Sequence, residues 1–182
     1  MTGGVVNGSI GIHPGTALTG FGPCVNTGTK DLGNTAAAVA KADLNTAFIA
    51  ASAPATPCGN LIIGDLGGQK LAAGVYCSGS SIGLTGVLTL DGGGDPNATF
   101  VFQAGSTLTT AGSVVLINGA QAKNVCFVVG SSAIIGVGSQ IQGNILAQAS
   151  ITLKDNATLV GRALARDAAV TLGTGNVITL PP

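Results

Sequence analysis

The side chains able to do acid–base, nucleophilic or metal chemistry are few: the 182 residues hold seven aspartates, one histidine, four cysteines and no glutamate. His13 precedes Pro14, with no second histidine or nearby cysteine to complete a ligand set or a triad, so it is read as a surface turn residue. Cleavage of polysaccharides needs carboxylates gathered in one cleft, whereas these aspartates are scattered among turns and one helical stretch. Asp91 and Asp95, in DGGGDPNATF, resemble part of a calcium-binding repeat, but the motif occurs once and turn chemistry is the expected role. Cys24, Cys58, Cys77 and Cys126 form no CxxC pair, which argues against zinc. As disulfide partners they allow three connectivities. Cys24 with Cys58 is preferred because the two bracket the helical stretch, and Cys77 with Cys126 follows, each lying just after an apolar strand start. The competing reading is four buried thiols in a reducing compartment. What the chain has in abundance is serine and threonine, and the chemistry they offer is that of a patterned hydroxyl surface.

The elements that must position those hydroxyls come from a repeat. VFQAGSTLTTAGSVVLIN (Val101 to Asn118), FVVGSSAIIGVGSQIQGN (Phe127 to Asn144), ILAQASITLKDNATLVGR (Ile145 to Arg162) and ALARDAAVTLGTGNVITL (Ala163 to Leu180) recur with a period of about 18 residues, a solenoid signature. Within each unit β-branched residues and leucine alternate with Ser, Thr and Gln, punctuated by Gly, Asn or Asp, which predicts three short strands per lap and a three-faced coil. In the second strand, alternation sends Leu108, Ala133, Ile135, Ile151, Leu153, Val170 and Leu172 inward. Thr109, Ile134, Thr152 and Thr171 then point outward, stacked at roughly 4.8 Å on a flat wall.

The other segments fit this frame. Val5 to Phe21 supplies about one lap, and Gly59 to Leu90 the remaining ones. Between them, residues 31–53 change to helical spacing, with Leu32, Ala36, Val39, Ala40, Leu44, Ala47, Phe48 and Ala51 on one face and Lys41 and Asn45 on another. Asp31 or Asn34 can cap this helix, Pro54 and Pro57 end it, and its apolar stripe is expected to dock on the solenoid's flank. The expectation is therefore one mostly β domain over residues 1–182: a three-faced β-solenoid with one helix along its side.

Charge narrows the function. With formal net charge +0 and 8% charged residues, the chain offers no basic field for nucleic acid or an anionic membrane. Its mean hydropathy is positive, yet no run approaches the ~18 consecutive apolar residues of a spanning helix. Thirty glycines and few aromatics suit tight laps around a narrow interior instead. Paired cysteines favour an oxidising, secreted setting. Met1-Thr2-Gly3-Gly4 runs into strand-like Val5-Val6 without a basic start or apolar h-region, so a mature or truncated form is expected.

Six segments closely resemble the bacterial and microalgal ice-binding protein family whose fold is a discontinuous β-solenoid: NGSIGIHPGTALTGF, GDLGGQKLAAGVY, SIGLTGVLTLDGGGDPNATFVFQAGSTLTTAGSVVLINGAQAKNV, VGSSA, GNILAQASITL and GRALARDAAVTL. The resemblance runs nearly end to end. It implies a right-handed, three-faced coil whose laps are laid down out of sequence order, and adsorption to ice that depresses the freezing point and blocks recrystallisation. Two departures stand out. The family's opening strand, resembling GSTVTNTG, is absent before VVNG, which would leave one lap incomplete. The family's ice-facing pattern, Thr-Ala/Gly-X-Thr/Asn, is followed loosely: Thr110-Ala111-Gly112-Ser113 comes close, Thr174-Gly175-Asn176-Val177 less so, and Lys154-Asp155-Asn156-Ala157 breaks it.

The expected ice-contact residues are therefore Thr107, Thr109, Thr110, Ser132, Ile134, Thr152, Thr171 and Thr174, with Lys154 at the margin. The third strand offers a second candidate wall, with Gln140, Gln142, Thr158, Val160, Val177 and Thr179. The expected partner is an ice crystal surface, met by a monomer without cofactor or metal. Two other classes compete. A solenoid enzyme lacks its carboxylate cleft, and an adhesive solenoid that binds sugars or cell surfaces would need exposed aromatic platforms, of which one tyrosine and five phenylalanines are the only candidates.

Overall fold

Short runs of alternating apolar and hydroxyl residues are stable as strands only when neighbouring laps pair with both of their backbone edges, and the 18-residue repeat meets that demand by coiling. The computed structural model describes residues 3–52 and 58–182. Every strand pair in it is parallel. The laps build three walls. The first stacks Asn60–Leu61, Gly74–Ser78, Phe100–Ala104, Val125–Val129, Asn144–Ala147 and Ala163–Ala165.

The second wall stacks the opening residues of Ile82–Asp91 and Leu108–Ile117 on Ala133–Ile135, Ile151–Leu153 and Val170–Leu172. The third runs from Lys70–Ala72 through the closing residues of the same two long strands to Gln140–Gln142, Thr158–Val160, Val177–Thr179, Val5–Asn7 and Val25–Asn26. The long strands turn the corner between these walls at Gly86 and Gly112. Gly86 has φ 99° and a Cβ on Gly112 would lie 1.9 Å from the Gly86 carbonyl oxygen, so both positions require glycine.

The laps are out of sequence order, as the family resemblance implied. Val5–Asn7 pairs on one side with Val177–Thr179 and on the other with Val25–Asn26, so the first strand of the chain lies beneath the last. The chain then crosses back to the opposite end through a helix, Thr35–Ser52, and the laps descend from Asn60. The helix starts later than its spacing predicts: Lys30–Leu32 pairs with Ile10–Ile12, and Gly33 at φ 66° breaks the chain before the cap. Asn34 is that cap, its Oδ1 accepting the Ala37 N–H at 2.9 Å. Pro54 and Pro57, expected to end the helix, lie outside the described residues.

The helix docks on the first wall, but on a face rotated from the predicted one. Ala37, Leu44 and Phe48 are buried, the last two against Val128 and Leu146, while Val39 is 56% exposed. Asn45, expected on an outer face, instead faces the wall, where its Oδ1 accepts the Arg166 Nε–H at 2.9 Å. Lys41, assigned to the same outer face, is half-buried. The Arg166 guanidinium lies 4.6 Å from the Phe48 ring centroid. Helical periodicity fixes a stripe only to within a neighbouring row of residues, and the large Leu44 and Phe48 side chains, not the alanines, decide which row faces inward.

Inside the coil, Leu66, Leu84, Leu88, Leu90, Phe100 and Ile135 are fully buried. Tyr76, Phe102 and Phe127 stack in successive laps, with centroids 5.4 and 4.9 Å apart. At the turns after the long strands, Asp91 Oδ1 accepts the Gly93 N–H at 2.9 Å and Asp95 Oδ1 accepts the Asn97 N–H at 2.8 Å, the turn chemistry expected of DGGGDPN.

The cysteine pairing differs from the expected one: Cys58 bonds Cys77, with Cα atoms 5.9 Å apart. Cys24 lies near Gly4, beside the strands that close the lower end, while the helix carries the chain to the upper end before Cys58. Flanking an 18-residue helix that is about 27 Å long therefore separates Cys24 from Cys58 instead of joining them. Cys77 is in register with Gln103 and Val128, so Cys126 sits two rungs and two residues away, roughly 12 Å, beyond the reach of a disulfide. Cys126 is a thiol under the helix, and burial pushes its pKa up to about 11.

Candidate functional site

The second wall gathers the predicted hydroxyls. Pairing aligns Gly83, Thr109, Ile134, Thr152 and Thr171 in one outward column. Their neighbours Ile82, Leu84, Leu108, Ala133, Ile135, Ile151 and Leu153 are buried, as alternation requires. Val170, predicted inward, is 41% exposed because its strand is the open edge of this wall.

A second column lies one step before each strand and contains Ser81, Thr107, Ser132, Ser150 and Ala169, aligned by the bonds that continue the ladder. Its hydroxyls hold each other in place: Thr107 Oγ1 donates to Ser81 Oγ at 2.8 Å and Ser150 Oγ to Ser132 Oγ at 3.0 Å. Such side chains are already ordered before any contact, which lowers the entropic cost of binding. Ser81 and Ser150 were not among the predicted residues. Their signal was present: each immediately precedes the first buried residue of a strand, as Thr107 and Ser132 do.

A third column follows the strands and holds Thr85, Ala111, Gly136, Lys154 and Gly173. Its upper end is latched by Asp65, whose Oδ1 accepts the N–H groups of Gly67 at 2.6 Å and Thr85 at 2.8 Å, and whose Oδ2 accepts the Thr85 hydroxyl at 2.7 Å. Burial works to raise the Asp65 pKa, but the bonds from the Thr85 backbone and hydroxyl and from Gly67 outweigh it and hold the carboxyl below its ordinary value.

Two predicted residues leave the wall. Thr110 points inward and is 2% exposed, its Oγ1 accepting the Gly136 N–H at 3.3 Å. Alternation from Thr109 already demands this, and the resemblance of Thr110-Ala111-Gly112-Ser113 to the family pattern cannot override it. Thr174 is exposed but lies in the corner turn, where its N–H donates to Asp155 Oδ1 at 2.7 Å. Asn176, in the same motif, is also buried, donating from Nδ2 to the carbonyls of Lys154 at 2.6 Å and Ala157 at 3.2 Å.

The third wall aligns Ser113, Gln140, Thr158, Val177, Val5 and Val25 in one outward column. Gln142, Val160, Thr179 and Asn7 form the next. Gln142 is tied down by donating to the Val114 carbonyl at 3.1 Å. Valines occupy much of this wall, so it is poorer in hydroxyls than the second. Among the described residues no group of three or more His, Cys, Asp or Glu comes together that could hold a metal ion. All six aromatic side chains, Phe21, Phe48, Tyr76, Phe100, Phe102 and Phe127, are buried. No helix of the described residues is long and apolar enough to cross a membrane.

Comparison with known proteins gives this geometry a context. An ice-binding protein of Nostoc sp. (strain HG1) is 49% identical over 178 residues, covering 95% of this chain and 65% of that protein. Ice-binding protein 1 of Shewanella frigidimarina is 39% identical over 117 residues, 62% of this chain and 13% of its own length. The chain thus spans less than two thirds of either relative. The crystal structure of an ice-binding protein from the Antarctic ascomycete Antarctomyces psychrotrophicus superposes with a TM-score of 0.92 at 41% identity, covering 98% of this chain and 91% of the other. The model of the family described as Ice-binding-like matches residues 2–179, and with the solenoid, its out-of-order laps and its flanking helix in agreement, the chain belongs to that family.

Proposed function

We propose that this protein adsorbs to ice through its second wall, lowering the freezing point and inhibiting recrystallisation. The observation that carries the reading is the pair of adjacent outward columns, Ser81 to Ala169 and Gly83 to Thr171, held flat by the parallel ladder and partly locked by their own hydroxyl bonds. Threonine presents a hydroxyl that bonds water and a methyl that disfavours bulk-like hydration, so a rigid row of them orders a water layer that matches a crystal plane. Each contact is weak. Preorganisation over many rungs lets the sum exceed the cost of immobilising the protein. Protein pinned in this way forces the ice front to bulge between adsorbed molecules, and the curvature opposes growth.

The second wall is preferred over the third because its outward positions are richer in hydroxyls. An adhesive solenoid that grips sugars has no exposed ring to offer, since all six aromatics are internal. The protein acts as a non-catalytic monomer, one domain over residues 1–182, without cofactor. We also place it outside the cell, a reading supported by the Cys58–Cys77 disulfide.

The test is to grow a single-crystal ice hemisphere from a solution of fluorescently labelled protein. Incorporation into defined planes is expected, together with thermal hysteresis. Folded protein that is swept ahead of the ice front would overturn the proposal.

A further inference from the structure

Two side chains on the proposed contact wall are charged: Asp65, at its upper end, has its carboxylate engaged by Gly67 and Thr85, and Lys154 stands lower down. Lys154 sits in the third column between Gly136 and Gly173, and it is exposed. Those glycines cannot be enlarged to shield it: a Cβ on Gly136 would lie 2.2 Å from the Thr110 carbonyl oxygen, and one on Gly173 would lie 2.5 Å from Asp155 Oδ1. The lysine is thus flanked above and below by bare backbone. The salt bridge of the described residues joins Lys70 to Asp91, on the third wall, and Asp155 Oδ1 is engaged by the Thr174 N–H.

We infer that Lys154 limits the wall's affinity for ice, confining close contact to the two hydroxyl columns. An ammonium is a compact, strongly hydrated charge on a flexible stem. A growing ice plane must either exclude its hydration shell or drive the side chain toward the corner, at a cost in rotamer freedom. Either way the third column, whose other members are Thr85, Ala111, Gly136 and Gly173, is denied to the ice although it lies in the same plane of the ladder.

The inference rests on the second wall being the contact surface, so the experiment carries a control for that reading. Thermal hysteresis is measured at matched concentration for Lys154→Ala, Lys154→Thr, Lys154→Glu and Thr152→Tyr, each shown to be folded by its unfolding midpoint. Ala and Thr are expected to raise hysteresis about threefold, the effect of a modest gain in adsorption constant. Glu is expected to stay at or below the parent, and Thr152→Tyr to lose most activity. If Ala and Thr match or fall below the parent while Thr152→Tyr is inactive, the role of Lys154 is overturned and the wall stands. A gain with Glu equal to that with Ala would overturn the argument from charge. Full activity in Thr152→Tyr would overturn the wall itself.

Discussion

Replacing Thr152 by tyrosine tests the contact surface at its most informative rung. Thr152 lies in the outward column between Ile134 and Thr171. Counting bonds of about 1.5 Å, a tyrosine ring would stand on the order of 4 Å above its neighbours. With rungs roughly 4.8 Å apart, a plane resting on that ring loses at least three rungs, those of Ile134, Thr152 and Thr171. If each rung contributes only about 0.5 kcal/mol, the low end for a net hydrogen bond, about 1.5 kcal/mol of adsorption energy disappears. That corresponds to roughly a tenfold fall in the adsorption constant. Folding should hardly change, because the side chain points outward and tyrosine suits a strand. Surface substitutions of this kind stay within about 0.5 kcal/mol, or about 2 °C in Tm for a chain of this length. The assay is thermal hysteresis at matched concentration, with calorimetry on the same sample. Val160→Tyr provides the matching bump on the third wall. A folded Thr152→Tyr protein with parental hysteresis would refute the reasoning, and loss in Val160→Tyr alone would move the contact to the third wall.

Three further outcomes follow from the core, the disulfide and the acidic turns. Phe102 is fully buried between Tyr76 and Phe127, so Phe102→Ala should cost about 3–5 kcal/mol and lower Tm by roughly 10 °C in a thermal scan; a shift under about 2 °C would mean that the aromatic stack is not a structural spine. Reducing Cys58–Cys77, which closes a loop of sequence separation 19, should cost about 3 kcal/mol in urea unfolding yet leave hysteresis in the cold intact, and Cys126 should resist alkylation at pH 8 in the folded protein because burial holds its thiol at about 11. The bond from Lys70 chiefly, with those from Gly93 and Asn118, holds Asp91 at about 2 against an ordinary 3.8. A depressed carboxyl stabilises the fold above its unfolded pKa, so stability should be flat from neutral pH to about 4 and fall as pH drops toward 2; urea midpoints across that range should lose this slope in Asp91→Asn, and an unchanged slope would assign it to other groups.

The walls were legible because strand alternation is strict. From Leu108 inward and Thr109 outward, every later lap could be read by counting, and Ile134, Thr152 and Thr171 align as expected. Where a motif was trusted over alternation, as at Thr110, the structure sided with alternation. Of the neighbouring column, Thr107 and Ser132 were expected but Ser81 and Ser150 were not: its members lie one residue outside the strands, and Ser81 also precedes the four-unit repeat. The cysteines were misleading for a different reason. Proximity along the chain stands in for proximity in space only when the intervening segment folds back, and the helix between Cys24 and Cys58 instead climbs the flank, from the Ile10–Ile12 and Lys30–Leu32 pair past Arg166 to Gln103. The docked face of the helix was decided by bulky side chains and by Arg166, 121 positions from its partner Asn45, which no local pattern can report.

The flanking helix also acts as a ruler. Because Val5–Asn7 lies between Val177–Thr179 and Val25–Asn26, a duplicated repeat placed directly after Val177–Thr179 would have to push that strand aside. A lap inserted mid-stack lengthens the array by about 4.8 Å, and the return path must then grow by about three helical residues to span it. Extending the displayed surface in this way requires two coordinated insertions, one in the laps and one in the helix, far apart in the chain.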